Sequence, residues 1–231
     1  MKMIIYFVRH GHPDYKNDCL TPLGKKQAER AAEVISALGV DEIYASTKGR
    51  AIETAEPTAR ILGLPVIPCN FMREITWEPL DGELVMANGH PWDIANTFAA
   101  EGMSLADSDW RNKEPFSKCA LPKSVDKVIK GFDELLAELG YTREGDYYRV
   151  TGENTDKTIA IFSHAGSSSA AIAHLLNIPF PQLVGFFSVS FTSITKISLS
   201  GERGQLVLPK LKFSNEAKHI EGITVDNVYG N

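Results

Sequence analysis

The chain of 231 residues suits one large domain, or one domain carrying an insertion, and its 43% hydrophobic and 23% charged residues are those of a self-sufficient packed core. A net charge of −5 excludes the broad basic surface that general nucleic-acid or anionic-lipid binding needs, so an anionic ligand would have to meet positive charge gathered in a pocket. The three cysteines, Cys19, Cys69 and Cys119, are widely spaced and form no C-x-x-C pair, which argues against a disulfide framework or zinc knuckle and for a reducing compartment.

Met3 to Val8 is a continuous apolar run, the pattern of a strand buried on both faces of a parallel sheet. It stops at Arg9-His10, too short for an export signal or a membrane span, and no later stretch is long enough to span; a cytoplasmic protein is expected. Thr21 as N-cap and Pro22 at the first helical position start a helix whose apolar face holds Ala28, Ala31, Ala32, Ile35 and Leu38, with Gly39 as its stop. Glu42 to Ser46 reads as a strand, Arg50 to Leu62 as a helix closed by Gly63, and Val66-Ile67 as a third strand. Strand, helix, strand, helix, strand implies right-handed crossovers and parallel pairing. The expected class is α/β: three layers, α/β/α, around a mostly parallel sheet.

Roughly residues 75–123 are rich in Gly, Pro, Trp and Asn, with one helical stretch near 92–100. They read as an inserted lid within a single domain spanning 1–231, since long irregular connections usually cover a site. Ser124 then caps a helix whose stripe runs Val125, Val128, Ile129, Phe132, Leu135, Leu136 and Leu139 to Gly140. Tyr147 to Val150 is expected to hairpin into the next strand, Thr158 to Phe162, which leads into a helix ending at Leu176. Thr195 to Leu199 and Leu206 to Phe213 are later strands, and Pro209 confines part of the last to an edge.

Two of these buried strands end alike. The first runs Val8-Arg9-His10-Gly11 and the second Phe162-Ser163-His164-Ala165-Gly166. Open α/β sheets bind ligands beyond the carboxyl ends of their strands, so adjacent strands would aim two imidazoles and a guanidinium into one crevice. A third strand end, Ala45 to Ala51, contributes Arg50 at a helix start. Two fixed guanidinium forks beside free helix N–H groups suit a tetrahedral phosphate dianion.

Arg9-His10-Gly11, Leu20 to Ala28, Ser46 through Arg50-Ala51 to Thr54-Ala55, Met72-Arg73-Glu74 and Ser163 to Gly166 occur in this order. That set resembles the histidine phosphatase superfamily, also called phosphoglycerate mutase-like, over residues 3–74 and 158–220. Ser193-Ile194-Thr195 and Asn215 to His219 are similar to its C-terminal pattern. The resemblance implies a metal-independent phosphoric monoester hydrolase that needs no cofactor. His10 would take the phosphoryl group, Arg9, Arg50 and His164 would surround it, and Glu74 would protonate the leaving oxygen before helping water attack. Gly11, His12, Asn17, Thr21 and Ala165 are the implied substrate contacts. The partners implied are a small phosphorylated substrate and inorganic phosphate as product, with no nucleic acid and no membrane. Imidazole qualifies as nucleophile because its neutral form exists near neutral pH, and the arginines disfavour imidazolium.

The match is incomplete at some positions. Glu78, Asp81 and Glu83 follow Glu74 closely and compete with it for the acid's role. His12 stands where the family usually has Glu or Gln, and Lys16 where many members carry asparagine, with Asn17 one step late. A phosphomutase would return the phosphoryl group to substrate, and mutases of this type carry an arginine-rich cluster in the insertion; residues 84–118 offer only Arg111, Lys113 and Lys118. A phosphate- or phosphoprotein-binding module without catalysis would have lost one of Arg9, His10, Arg50 or His164, and all four are present. A metal site at His10-Gly11-His12-Pro13-Asp14 leaves the other elements unexplained, and a serine nucleophile at Ser168 is better read as one of several serines at a helix start.

Overall fold

The computed structural model describes residues 1–80, 93–153 and 156–223. In chain order the elements are β1 (Lys2–Arg9), β2 (Pro13–Asp14), β3 (Cys19–Leu20), α1 (Pro22–Ser36), β4 (Glu42–Ser46), α2 (Gly49–Leu62), β5 (Val66–Cys69), α3 (Ile94–Ala100) and α4 (Leu121–Glu138). They continue with β6 (Tyr141–Glu144), β7 (Tyr147–Val150), β8 (Lys157–Ser163), α5 (Ala165–Leu176), α6 (Phe180–Phe186), β9 (Ile194–Ser200), β10 (Leu206–Val207) and β11 (Lys210–Glu216).

The main sheet runs β11-β9-β1-β8-β4-β5. β1, β8, β4 and β5 pair in parallel, while β9 is antiparallel to both β1 and β11. Alternate residues of the central strands supply two separate cores, as a sheet covered on both faces requires. Met3, Ile5, Phe7, Ile159 and Ile161 pack with Val125, Phe132 and Leu136 of α4 and Ala170 of α5. Tyr6, Val8, Ile43, Ala160 and Phe162 pack with Ala31 and Ile35 of α1 and Ala55 of α2. The result is the expected α/β/α sandwich. Among the described residues no helix is long and apolar enough to cross a membrane.

Several local expectations hold in detail. Thr21 accepts a hydrogen bond from the Gly24 N–H to cap α1, and Gly63 ends α2 in the left-handed conformation at φ 66°. Others are corrected. α4 begins at Leu121 with Pro122 in its first turn, so Ser124 is not its N-cap; the Ser124 hydroxyl instead accepts the Thr76 N–H at 2.9 Å. β7 pairs with β6 before it and with β10, forming a small second sheet, and does not hairpin into β8. The strand read over 206–213 breaks at Pro209, which supplies no donor: Leu206–Val207 joins the small sheet and Lys210–Glu216 is the edge of the main one. In the insertion, Phe98, Trp110 and Phe116 are buried against one another and against Phe180 of α6 as part of the core.

Candidate active site

β1 and β8 lie side by side in register, Arg9 opposite Ser163, so their next residues emerge together at the carboxyl edge. The His10 N–H continues the ladder to the Ser163 carbonyl at 2.9 Å. The His10 and His164 rings stand edge to face with centroids 5.2 Å apart, both buried. Gly11 is required by close approach: a Cβ there would lie 2.7 Å from the Gly24 carbonyl oxygen, where the chain crosses the first turn of α1.

The two histidines are held differently. His10 Nδ1 lies 2.7 Å from the carbonyl oxygen of Gly11, which accepts only from N–H and so fixes the tautomer with its proton on Nδ1. Nε2 of His10 is left with its lone pair. Burial foremost, then the Arg9 guanidinium, and more weakly Arg50 and His12, hold His10 well below the ordinary histidine range against the pull of the Gly11 carbonyl. Burial also depresses His164, followed by its coupling to the His10 ring, which resists a second imidazolium beside it, and by the Arg50 and Arg9 charges. Nε2 of His164 meets the Ser46 hydroxyl at 2.8 Å, which links the ends of β8 and β4.

Arg9 and Arg50 are both buried side chains. Arg9 stacks over the Phe191 ring at 4.1 Å and donates from Nη1 to the Val189 carbonyl. Arg50 sits in the first turn of α2 and donates from Nη1 to Asp18 Oδ1 at 2.5 Å, while Asp18 Oδ2 accepts the Gly49 N–H at 3.1 Å. Asp18 lies in the turn between β2 and β3 at φ 50°. Tyr15, on the same turn, packs its ring below the Arg50 guanidinium at 5.4 Å and edge-on to His10.

Glu74 reaches this group from the segment after β5. Its carboxylate accepts from the N–H groups of Ile75 (3.0 Å), Ser167 (3.1 Å) and Gly166 (3.5 Å), the last two in the opening turn of the helix that follows His164. Gly166 leaves the space: a Cβ there would fall 2.6 Å from Glu74 Oε1. Desolvation raises the Glu74 pKa, opposed by those N–H groups and by the Arg9 and Arg50 charges. Glu78 is exposed, and Asp81 and Glu83 lie outside the described residues.

The fold thus gathers Arg9, His10, Gly11, Arg50, Glu74 and His164, with Ala165 buried at the start of α5 beside them. His12 is at the margin; its Nδ1 meets the Thr21 hydroxyl at 2.9 Å and its ring packs against Phe191. Asn17 stands apart, exposed, with its amide donating to Asp14 Oδ2 at 2.7 Å. Sequence reasoning missed Tyr15, Ser46, Asp18 and Phe191. Asp18, one residue past Asn17, carries no sequence signal that separates it from the other acids between the two guanidinium-bearing motifs, and Phe191 lies in irregular chain with no periodic signal.

The profile of the histidine phosphatase superfamily (branch 1) matches residues 5–211. A Hydrogenobacter thermophilus protein carried under the name phosphoserine phosphatase 2 is 23% identical over 212 residues, which are 88% of this chain and 93% of that one. Among solved structures, the mycobacterial glucosyl-3-phosphoglycerate phosphatase bound to VO3 superposes with a TM-score of 0.62 at 23% identity, covering 92% of this chain and 98% of the other. The Entamoeba histolytica phosphoserine phosphatase with 3-phosphoglyceric acid gives 0.61 at 24%, covering 94% and 99%. The chain belongs to the histidine phosphatase superfamily.

Proposed function

We propose that this protein hydrolyses small phosphate monoesters through a phosphohistidine formed on Nε2 of His10. Its class as a phosphatase follows from its family, and the geometry of the strand ends supports the covalent route and the role of each residue. The observation that carries the reading is the buried His10, whose Nδ1 is engaged by the Gly11 carbonyl so that Nε2 is left to attack beside Arg9, Arg50 and His164, with burial and the Arg9 charge favouring the neutral ring.

In the first step Nε2 attacks phosphorus, the N–P bond forms and the P–O ester bond breaks. Arg9, Arg50 and His164 hold the non-bridging oxygens, and because transfer depends mainly on position and charge, these supports do most of the catalysis. Glu74 in its acid form gives its proton to the departing alkoxide. In the second step the Glu74 carboxylate takes a proton from water, which attacks phosphorus and releases inorganic phosphate and free His10. Gly11, His12, Thr21 and Ala165 line the approach. The three cysteines are free thiols, two of them buried, which supports a reducing, cytoplasmic setting.

Phosphotransfer by a mutase of this type would need uncommitted cations within residues 84–118 of the insertion. Arg111 is paired with Asp126, Lys113 with Asp107 and Lys118 with Glu114, so hydrolysis is favoured over a mutase reaction. The test is phosphate release from a panel of monoesters by wild type and His10→Ala. We expect release by wild type and a loss of at least about a thousandfold in the variant, with an unchanged circular dichroism spectrum. Wild-type rates in a folded His10→Ala protein would defeat the mechanism, and a protein that binds phosphate but releases none would be a binding module.

A further inference from the structure

The cations of the insertion and of the segments that flank it, residues 73–127, fall into two groups. Arg111, Lys113 and Lys118 are each neutralised by a carboxylate, as above. Arg73, Lys123 and Lys127 are exposed and, among the described residues, form no ion pair, although the protein as a whole carries a net charge of −5. These three side chains line one groove of about 340 Å³, and Glu74 lines it with them.

The groove is a product of the fold. The Thr76 N–H donates to Ser124 Oγ, tying the chain just after Glu74 to the first turns of α4, where Lys123 and Lys127 stand one turn apart. Further along, α4 presses on Phe71 so closely that a Cβ on Gly131 would lie 2.3 Å from the Phe71 ring. The unpaired cations thus share one groove with Glu74, the residue that protonates the leaving oxygen in the proposed route.

We propose that this groove receives the leaving group, and that Arg73, Lys123 and Lys127 select phosphate monoesters whose leaving group carries a second anionic group. The inference rests on the hydrolytic reading, since Glu74 marks the leaving group's place only as the acid. Exposed cations are each weak, but three of one sign facing one ligand add, and salt screens them.

The test compares 3-phosphoglycerate with glycerol 3-phosphate, which differ by a carboxylate against a hydroxymethyl group. Wild type should favour the acid in kcat/KM by about tenfold, and Lys123→Gln/Lys127→Gln should lose most of that preference, chiefly through KM. High salt should shrink the wild-type preference toward that of the double variant. Glutamine keeps the helix propensity at both exposed sites, so the variant folds. No preference in wild type, or an undiminished one in the double variant, overturns the proposal. Should wild type cleave neither ester, hydrolysis fails, and equilibrium binding of the same pair decides the groove: tighter binding of the carboxylate dependent on Lys123 and Lys127 supports it, and equal binding overturns it.

Discussion

A buried imidazole between two guanidinium groups has little reason to hold a proton, and the pH profile should show it. In the proposed route His10 must be neutral to attack, so kcat/KM should rise as pH climbs through its pKa, which burial and Arg9 place below the ordinary 6.5. In the same route Glu74 must be protonated to serve the leaving group, so kcat/KM should fall as pH climbs through its pKa, which burial places above the ordinary 4.5. Wild type should therefore show a bell, and Glu74→Gln should lower the rate and remove the alkaline limb attributable to the acid. A variant that keeps that limb would assign it elsewhere, to the substrate phosphate or to another group. Asp18 makes its own prediction: it touches Arg50 by a charged hydrogen bond and fixes the Gly49 N–H at the start of α2. Asp18→Asn should cost about ten- to a hundredfold in kcat/KM, the scale of one charge-assisted bond. An unchanged value would show that Arg50 is positioned without it.

At the scale of elements, the opening turn of α5 carries two functions. It follows directly on His164, and its N–H groups hold Glu74. Gly166→Ala would push a methyl against Glu74 Oε1 and Ile75, displacing the acid rather than the phosphate supports. Alkyl phosphates should then lose on the order of a hundredfold in kcat, a cost typical of a misplaced catalytic group. p-Nitrophenyl phosphate, whose leaving group needs no proton, should lose much less. Equal losses on both esters would place the damage in the phosphate cradle. Elements of this kind were legible where a chemical signal marked them: Thr21-Pro22 announced α1, Gly63 closed α2, and the apolar runs gave β1 and β8. What escaped notice had no such signal. α6 is short and aromatic without a clear period, β2 and β3 are two residues each, and the partner of β7 was misread because local hairpin pairing with β6 depends on tertiary packing.

Across the whole molecule, strand order turns scattered motifs into one site. β8 enters the sheet between β1 and β4, more than a hundred residues away in sequence, so His164 arrives between His10 and Arg50. The matching strand ends made that convergence readable from sequence. The side chains that hold the arginines in place, Asp18 and Phe191, come from a tight turn and an irregular segment whose positions only the folded chain reveals. The central claim is that Nε2 of His10 carries the phosphoryl group. Alkaline rapid quench during turnover, followed by peptide mapping, tests it most directly. The account predicts phosphate on His10 within the time of one turnover, and none on His10→Ala. Phosphate on any other residue, or steady hydrolysis by wild type with no phosphorylated enzyme at any quench time, would contradict it.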